Sequence, residues 1–312
     1  MKILIVGNKS NHNLEDYYYR AFTLLGHTVH FVNQYEGVPK NSVFRIFLRR
    51  LSPNKTILNT LQVNRKKFMG SYDAIIVFKA ELLTNETLRT LSKLGPLYLY
   101  YPDSTRYPRL LKKRLELFNA VFTPTPNQEF YYRLGAKKVY QLPFACDPKI
   151  HRKLDTPKKY DTTFIGTFYF NRWQTLRKIR PKPHIFGPLW ILKAGIHHPP
   201  LYGEDYVQVI GATKINLNIH HKADIASKTL NMRAFEVAGC GGFLITDNKY
   251  AAANILPAVF YDNTTDLLQK INYYLENEAE REEKANKLQE ECYKKHTYQK
   301  RVDQLLTHIK GI

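Results

Sequence analysis

Arg233 and Glu236 stand three residues apart in TLNMRAFEVAGCGGFLITD, residues 229–247. That spacing puts both side chains on one face of a helix. An arginine beside a carboxylate there has two uses. The pair can close on itself at the surface, worth only a few tenths of a kcal/mol. Alternatively it can hold a ligand, the guanidinium on phosphates and the carboxylate accepting hydrogen bonds from a ribose diol. The stretch reads as an amphipathic helix that stops on glycines and runs into a buried strand. The pair therefore falls at the rim of a sheet, where ligands of α/β proteins bind. The helix is expected to begin near Lys228, with Asn231 in its first turn. A helix start carries partial positive charge and amides that the helix itself leaves unpaired, so a diphosphate fits there without a metal when Arg and Lys assist. Gly239, Gly241 and Gly242 would let backbone and ligand approach closely, although Gly239 alone is also an ordinary helix stop.

Other polar or glycine residues fall at strand ends. Gly7 and Asn8 follow KILIV, but GNKSNHN is not the GxGxxG dinucleotide fingerprint, which argues against a nicotinamide cofactor held in the usual way. Gly166 follows TTFI, and Arg172 lies at the start of the next helix. Gly187 follows HIF, and Asn218, His220 and His221 follow KINL. Asp103 in YYPDSTRYP is the general-base candidate, able to take a proton from an acceptor hydroxyl; an Asx turn or N-cap is the competing use. His12 is an alternative base, with a solvated loop histidine as its competing reading. The His197-His198 and His220-His221 pairs lack zinc spacing, so no metal is expected. Cys146, Cys240 and Cys292 form no CxxC pair and fit a reducing cytoplasm with no disulfide framework.

The elements that must position these residues are short apolar runs alternating with helical segments. Such alternation predicts α/β architecture with doubly wound parallel sheets. The strands are KILIVG, HTVHFV, DAIIVF, PLYLYYPD, AVFTPT and KVYQLPF in the first half, then TTFIGT, PHIFG, KINLNIH, GGFLITD and AVFYD. Polar residues 144–160, with Pro148 and Pro157, read as a linker. A single long charged helix is expected from Asp266 to about Lys295. The resulting picture is two Rossmann-like domains, 1–145 and 158–295, facing a cleft.

The 312 residues carry 47 Lys+Arg against 27 Asp+Glu, a formal charge of +20. Between Glu36 and Asp73 there is no acidic residue, and Lys40, Arg45, Arg49, Arg50, Lys55, Arg65, Lys66 and Lys67 are all basic. Such a segment attracts phosphates on nucleic acid, anionic lipid or substrate. MKILIVGN reads as a buried first strand rather than a signal peptide, and no apolar run approaches the roughly 18 residues of a membrane span. These features predict a cytoplasmic protein, possible on an anionic membrane surface through residues 40–67.

The stretch NMRAFEVAGCGGFLITD resembles the R-x-F-E-x-x-A-C-G-x-x-x-x-T-D pattern of the spore maturation protein CgeB-like glycosyltransferases, within the group 1 glycosyltransferases. DTTFIGTFYFNRW, KINLNIH and a tail with HTYxxR are similar to further elements of that family, in the same order over about residues 160–308. The resemblance implies a GT-B fold. It also implies a C-terminal nucleotide-sugar domain, with Glu236 at the ribose, Arg233 and Arg172 at the diphosphate, and Gly187 near the base. Residues 296–312 would form a helix crossing back to the N-terminal, acceptor-binding domain. Of the E-x7-E motif known in relatives only the second glutamate, Glu236, is present, and positions 228 and 229 are Lys and Thr.

The reading is therefore metal-independent transfer of a sugar from a nucleotide diphosphate sugar, serving as co-substrate with no cofactor, to a hydroxyl of a glycan, glycolipid or protein, as in polysaccharide biosynthesis. The site set is Asp103 and His12 for catalysis, with Gly166, Arg172, Gly187, Asn218, Lys228, Asn231, Arg233 and Glu236 for the donor. The rival is a non-catalytic basic α/β protein that binds nucleic acid or another phosphate-rich partner. No nucleic-acid module signature is present, so no nucleic acid is expected.

Overall fold

A computed structural model describes residues 1–35, 70–103, 105–106, 108–250 and 255–311. The basic segment 40–67 lies outside them. The chain divides into two compact units, Met1–Leu142 with Val302–Ile312, and Pro143–Arg301.

The first unit holds strands β1 (Lys2–Gly7), β2 (Thr28–Asn33), β3 (Ala74–Phe78), β4 (Leu97–Tyr100), β5 (Ala120–Thr123) and β6 (Val139–Gln141). They form one parallel sheet in the order β2-β1-β3-β4-β5-β6. Both faces are covered, so the central strands read as unbroken apolar runs rather than alternating ones. Leu4, Val6, Ile75, Val77, Leu97, Leu99 and Val121 build one core from them. The helix Leu14–Leu24 starts where the Asn13 side chain accepts from the Asp16 N–H. YPRLLKKRLELF is not the single helix its pattern suggests. It breaks into Pro108–Leu111 and a short 3-10 turn at Leu115–Leu117, because Lys113 takes a left-handed conformation (φ 60°).

The second unit holds β7 (Tyr160–Ile165), β8 (His184–Phe186), β9 (Ile196–His198), β10 (Thr213–Asn218), β11 (Leu244–Thr246) and β12 (Val259–Phe260). They form a second parallel sheet in the order β12-β11-β10-β7-β8-β9. Phe164, Ile185, Ile215, Leu217 and Ile245 pack with Leu267 and Ile271 of the Thr264–Glu276 helix. Among the described residues no helix is long and apolar enough to cross a membrane.

One strand was not expected, and two further expectations need correction. Strand β9 has no apolar run to announce it; IHH is placed by pairing with β8, His184 opposite Ile196 and Phe186 opposite His198. The long charged helix is two helices, Thr264–Glu276 and Glu278–Lys295, separated at Asn277, whose backbone (φ −100°, ψ 73°) leaves the helical region while its N–H and its side-chain amide both donate to Tyr273 O. The supposed linker is built into the second unit. Cys146 donates its N–H to His296 O at 2.9 Å and accepts from the Tyr298 N–H at 3.0 Å, and Asp147 and His151 are buried.

Arg301 closes that junction. Its buried guanidinium donates to Pro143 O, Phe144 O, Lys295 O and His296 Nδ1. Arg301→Met should leave those carbonyls unpaired and cost about 2–4 kcal/mol, read as a lowered thermal midpoint. Burial, and then the Arg301 charge, pulls His296 from its ordinary 6.5 down to about 4. Between those values the unfolded chain binds a proton that the folded chain refuses. Stability should therefore be lost as pH falls from about 6.5 through about 4, and His296→Gln should flatten that slope in pH-dependent urea melts.

Candidate donor site at the strand ends of the second unit

The C-terminal ends of β7, β8, β10 and β11 bring together Gly166, Gly187, Asn218, His220 and Asp247. The helix that follows begins at Met232, not near Lys228. Asn231 is its N-cap, accepting from the Ala234 N–H at 3.3 Å, and its amide donates to Asn218 Oδ1 at 2.9 Å. One side chain thus fastens the helix start to the end of β10. A second tie runs through His220, which is fully buried. Its Nε2 accepts from the Asn231 N–H at 3.2 Å, so Nδ1 carries the hydrogen and donates to Asp247 Oδ1 at 2.6 Å. Asp247 also accepts from the His220 N–H with both oxygens. Lys228 ends the preceding short helix in a left-handed conformation (φ 55°), with Nζ 4.9 Å from the centre of the Tyr250 ring.

One turn into the helix, Arg233 Nη1 donates to Glu236 Oε2 at 3.0 Å. This is no solvated surface pair. The Glu236 side chain is 5% exposed, against 30% for Arg233. The Tyr206 hydroxyl donates to the same oxygen at 3.1 Å, and its ring lies 4.6 Å under the Arg233 guanidinium. Burial pushes the Tyr206 phenol well up, so it remains a neutral donor. His151 comes from the segment read as a linker. Its Nδ1 accepts from the Asp147 N–H, which leaves the hydrogen on Nε2, 3.8 Å from Glu236 Oε1. Tyr206 and His151 had no marker in the sequence: one is an apolar-face position of the helix Gly203–Gly211, the other a histidine among prolines and charges. Only the packing against Glu236 identifies them.

Arg172 points inward from the helix Phe170–Leu176. It donates Nε–H to Ile219 O and Nη1–H to Thr167 O, both at 2.8 Å, and lies over the Tyr169 and Phe164 rings. Burial pulls its guanidinium down to about 10, which leaves it a cation at neutral pH. Gly187 must be glycine. Its φ is +155°, and a Cβ would stand 2.1 Å from Gly166 O. That close crossing of two strand ends also presents Gly166 O to Trp190 Nε1 at 2.9 Å. Replacing Gly187 by Ala should therefore cost at least about 3 kcal/mol and remove ligand-induced stabilisation with it, as read by calorimetry with and without nucleotide.

The two residues named for catalysis lie in the first unit. Asp103 follows β4, with Oδ2 3.2 Å from Lys79 Nζ and Oδ1 3.7 Å from Arg106 Nη2. Lys79 and Ala80 are consecutive left-handed residues after β3 (φ 62° and 56°), a conformation that costs energy away from glycine and often marks a functional turn. Nearby, Glu15 is buried with its pKa raised, chiefly by burial and against the pull of Lys79, and accepts from the Asn8 N–H at 3.2 Å. Glu81 accepts from the Tyr35 hydroxyl at 2.7 Å. His12 is left-handed (φ 59°), gives its N–H to Asp16 and accepts from the Tyr17 hydroxyl on its carbonyl. Glu15 and Glu81 were not singled out from sequence. Among the described residues no group of three His, Cys, Asp or Glu is placed to hold a metal ion.

Known proteins share sequence and fold with this chain. Residues 154–307 match the model of the family described as glycosyl transferase-like. Spore protein CgeB of Bacillus subtilis (strain 168) is 24% identical over 218 residues, 61% of this chain and 68% of that protein. Among solved structures, T4 phage BGT in complex with its UDP-glucose substrate superposes with a TM-score of 0.63 at 15% identity, over 100% of this chain and 99% of that one. Anabaena HepE in complex with UDP-glucose gives 0.67 at 10% identity, covering 100% of both chains. Sucrose-phosphate synthase from Thermosynechococcus elongatus gives 0.67 at 11%, over 99% of this chain and 98% of that one. At such identities the structural likeness speaks for the fold, which is GT-B. The likeness to the glycosyl transferase-like family extends over residues 154–307 of the 312.

Proposed function

We propose that the protein transfers a sugar from a nucleotide diphosphate sugar to an acceptor hydroxyl. One observation carries this reading. Within the family-matched segment, four strand ends, an Asn231-capped helix start and the Arg233–Glu236–Tyr206 cluster converge on one place. The leaving diphosphate gains charge as the glycosidic bond breaks, so cations and a helix start already fixed in place stabilise that state more than the bound donor. Arg172 and Arg233 supply the cations, and Glu236 and Asn231 the polar groups for the ribose. Asn218, Gly166 and Gly187 shape the floor. Lys228 is assigned the outer phosphate. UDP-glucose complexes of the GT-B neighbours support a nucleotide-sugar donor.

Asp103 is assigned the acceptor proton because Lys79 and Arg106 fix its orientation; His12 stands as the second candidate. The acceptor is assigned to the glycan, glycolipid or protein class, handled in the cytoplasm, and the chemistry needs no metal or other cofactor. One neighbour is a DNA-modifying β-glucosyltransferase, and with a charge of +20 on this chain duplex DNA belongs in the acceptor screen.

The test is a thermal-shift panel of UDP, GDP and ADP, followed by hydrolysis of the matching sugar nucleotides. One diphosphate should raise the midpoint by several degrees when well above its Kd. Arg233→Ala and Glu236→Ala should each weaken that diphosphate roughly tenfold or more, and EDTA should leave hydrolysis unchanged. No shift with any nucleotide, or a shift that survives both variants, defeats the assignment.

A further inference from the structure

The chain has two tryptophans, and both stand in one short stretch of the second unit. Trp190 packs edge-on against Phe164 and Phe168 and gives its Nε1–H to Gly166 O. Trp173 lies 5.3 Å from the Phe170 ring and gives its Nε1–H to Lys193 O at 3.3 Å. That bond ties the Phe170–Leu176 helix to the loop between β8 and β9. The side chains around these indoles are apolar and unusually bare: Ile191 is 82% exposed, Leu189 62%, Phe170 58% and Leu192 39%. Leu189 adopts a left-handed conformation (φ 64°) that side-chain-bearing residues rarely take. The Ile191 N–H bonds back to Leu189 O at 3.0 Å, so the loop is a closed turn. Single exposed leucines are ordinary; four bare apolar side chains on two segments tied together through Trp173 point to an interaction surface.

The surroundings are cationic. From Thr162 to Gly203 the chain contains no aspartate or glutamate. Arg177, Lys178, Arg180, Lys182 and Lys193 are all exposed there, and Arg177 lies 4.5 Å over the Trp173 ring.

We propose that this face docks on an anionic lipid bilayer. Leu189, Ile191, Leu192 and Phe170 enter the boundary between headgroups and acyl chains, and the five cations meet lipid phosphates. Lipid fits better than a protein partner because side chains this exposed stand proud of the surface and need a deformable medium. Both indole N–H groups already have carbonyl acceptors, so entry leaves neither of them unpaired. The inference does not rest on sugar transfer and uses none of residues 40–67.

Because every tryptophan lies in this patch, tryptophan emission, excited at wavelengths that tyrosine does not absorb, reports on it alone. The full chain is titrated with vesicles of phosphatidylcholine mixed with phosphatidylglycerol, with vesicles of phosphatidylcholine alone, and with soluble polyglutamate. The expected result is co-sedimentation with the anionic vesicles accompanied by a blue shift in emission. The double variant Ile191→Glu, Leu192→Glu should bind at least roughly tenfold more weakly, with an unchanged thermal midpoint and unchanged sugar-nucleotide hydrolysis. Failure to bind anionic vesicles overturns the proposal. So does binding without the blue shift, or binding that the double variant retains, since another surface then holds the lipid. An equal shift with polyglutamate assigns the patch to an acidic protein instead.

Discussion

A carboxylate can be kept inside a protein only where donors converge on it, and Glu236 is such a case. Its oxygens lie among Arg233, Tyr206 and the imidazole of His151, which come from three separate parts of the second unit. The local helix supplies only the arginine. The tyrosine arrives on the helix before β10, and the histidine on the segment before β7. Because the three partners meet only when the sheet is assembled, the orientation of Arg233 is a property of the whole unit. The same logic governs the helix start, where Asp247 at the end of β11 orients His220, and His220 holds the Asn231 backbone. Two layers of hydrogen bonding therefore stand behind the groups assigned to the donor, which is how a site acquires fixed dipoles in advance of its ligand.

Much of this was legible in the sequence. A strand buried on both faces tends to be a continuous apolar run, and KILIVG and DAIIVF announce their strands for that reason; KINLNIH alternates instead, and its buried Asn216 and Asn218 are hydrogen-bonded to Thr163, Phe243 and Thr246. The spacing of Arg233 and Glu236 announced their shared helix face. What could not be read was decided by tertiary contact. Strand β9 is three residues, two of them histidines, and exists because β8 offers it an edge. Tyr206 looks like any apolar-face residue of an amphipathic helix until the carboxylate beneath it is seen. The helix expected near Lys228 begins at Met232 because Asn231 caps it, which the apolar period does not reveal. The prolines and charges of residues 144–160 resemble a linker, and nothing local reveals that Cys146 pairs with the backbone beside Thr297.

Gly166 shows how closely the donor site and the apolar face are connected within the second unit. Its carbonyl accepts from Trp190, and its backbone lies where any side chain at position 187 would stand. The loop carrying Ile191 and the end of β7 are thereby joined by one indole hydrogen bond and one close backbone crossing.

The unit boundaries have their own consequence for how the molecule is made. The helix Tyr298–Lys310 begins in the second unit, and the rest of it belongs to the first, where His308 stacks on Tyr140 at 4.1 Å. In chain order, the second unit is an insertion within a discontinuous first one. During synthesis the inserted unit has its entire sequence available once Arg301 is made, whereas the unit containing the first strand waits for Val302 and the residues after it. A ribosome that stalls at that boundary would release a chain whose insert is whole and whose host is not.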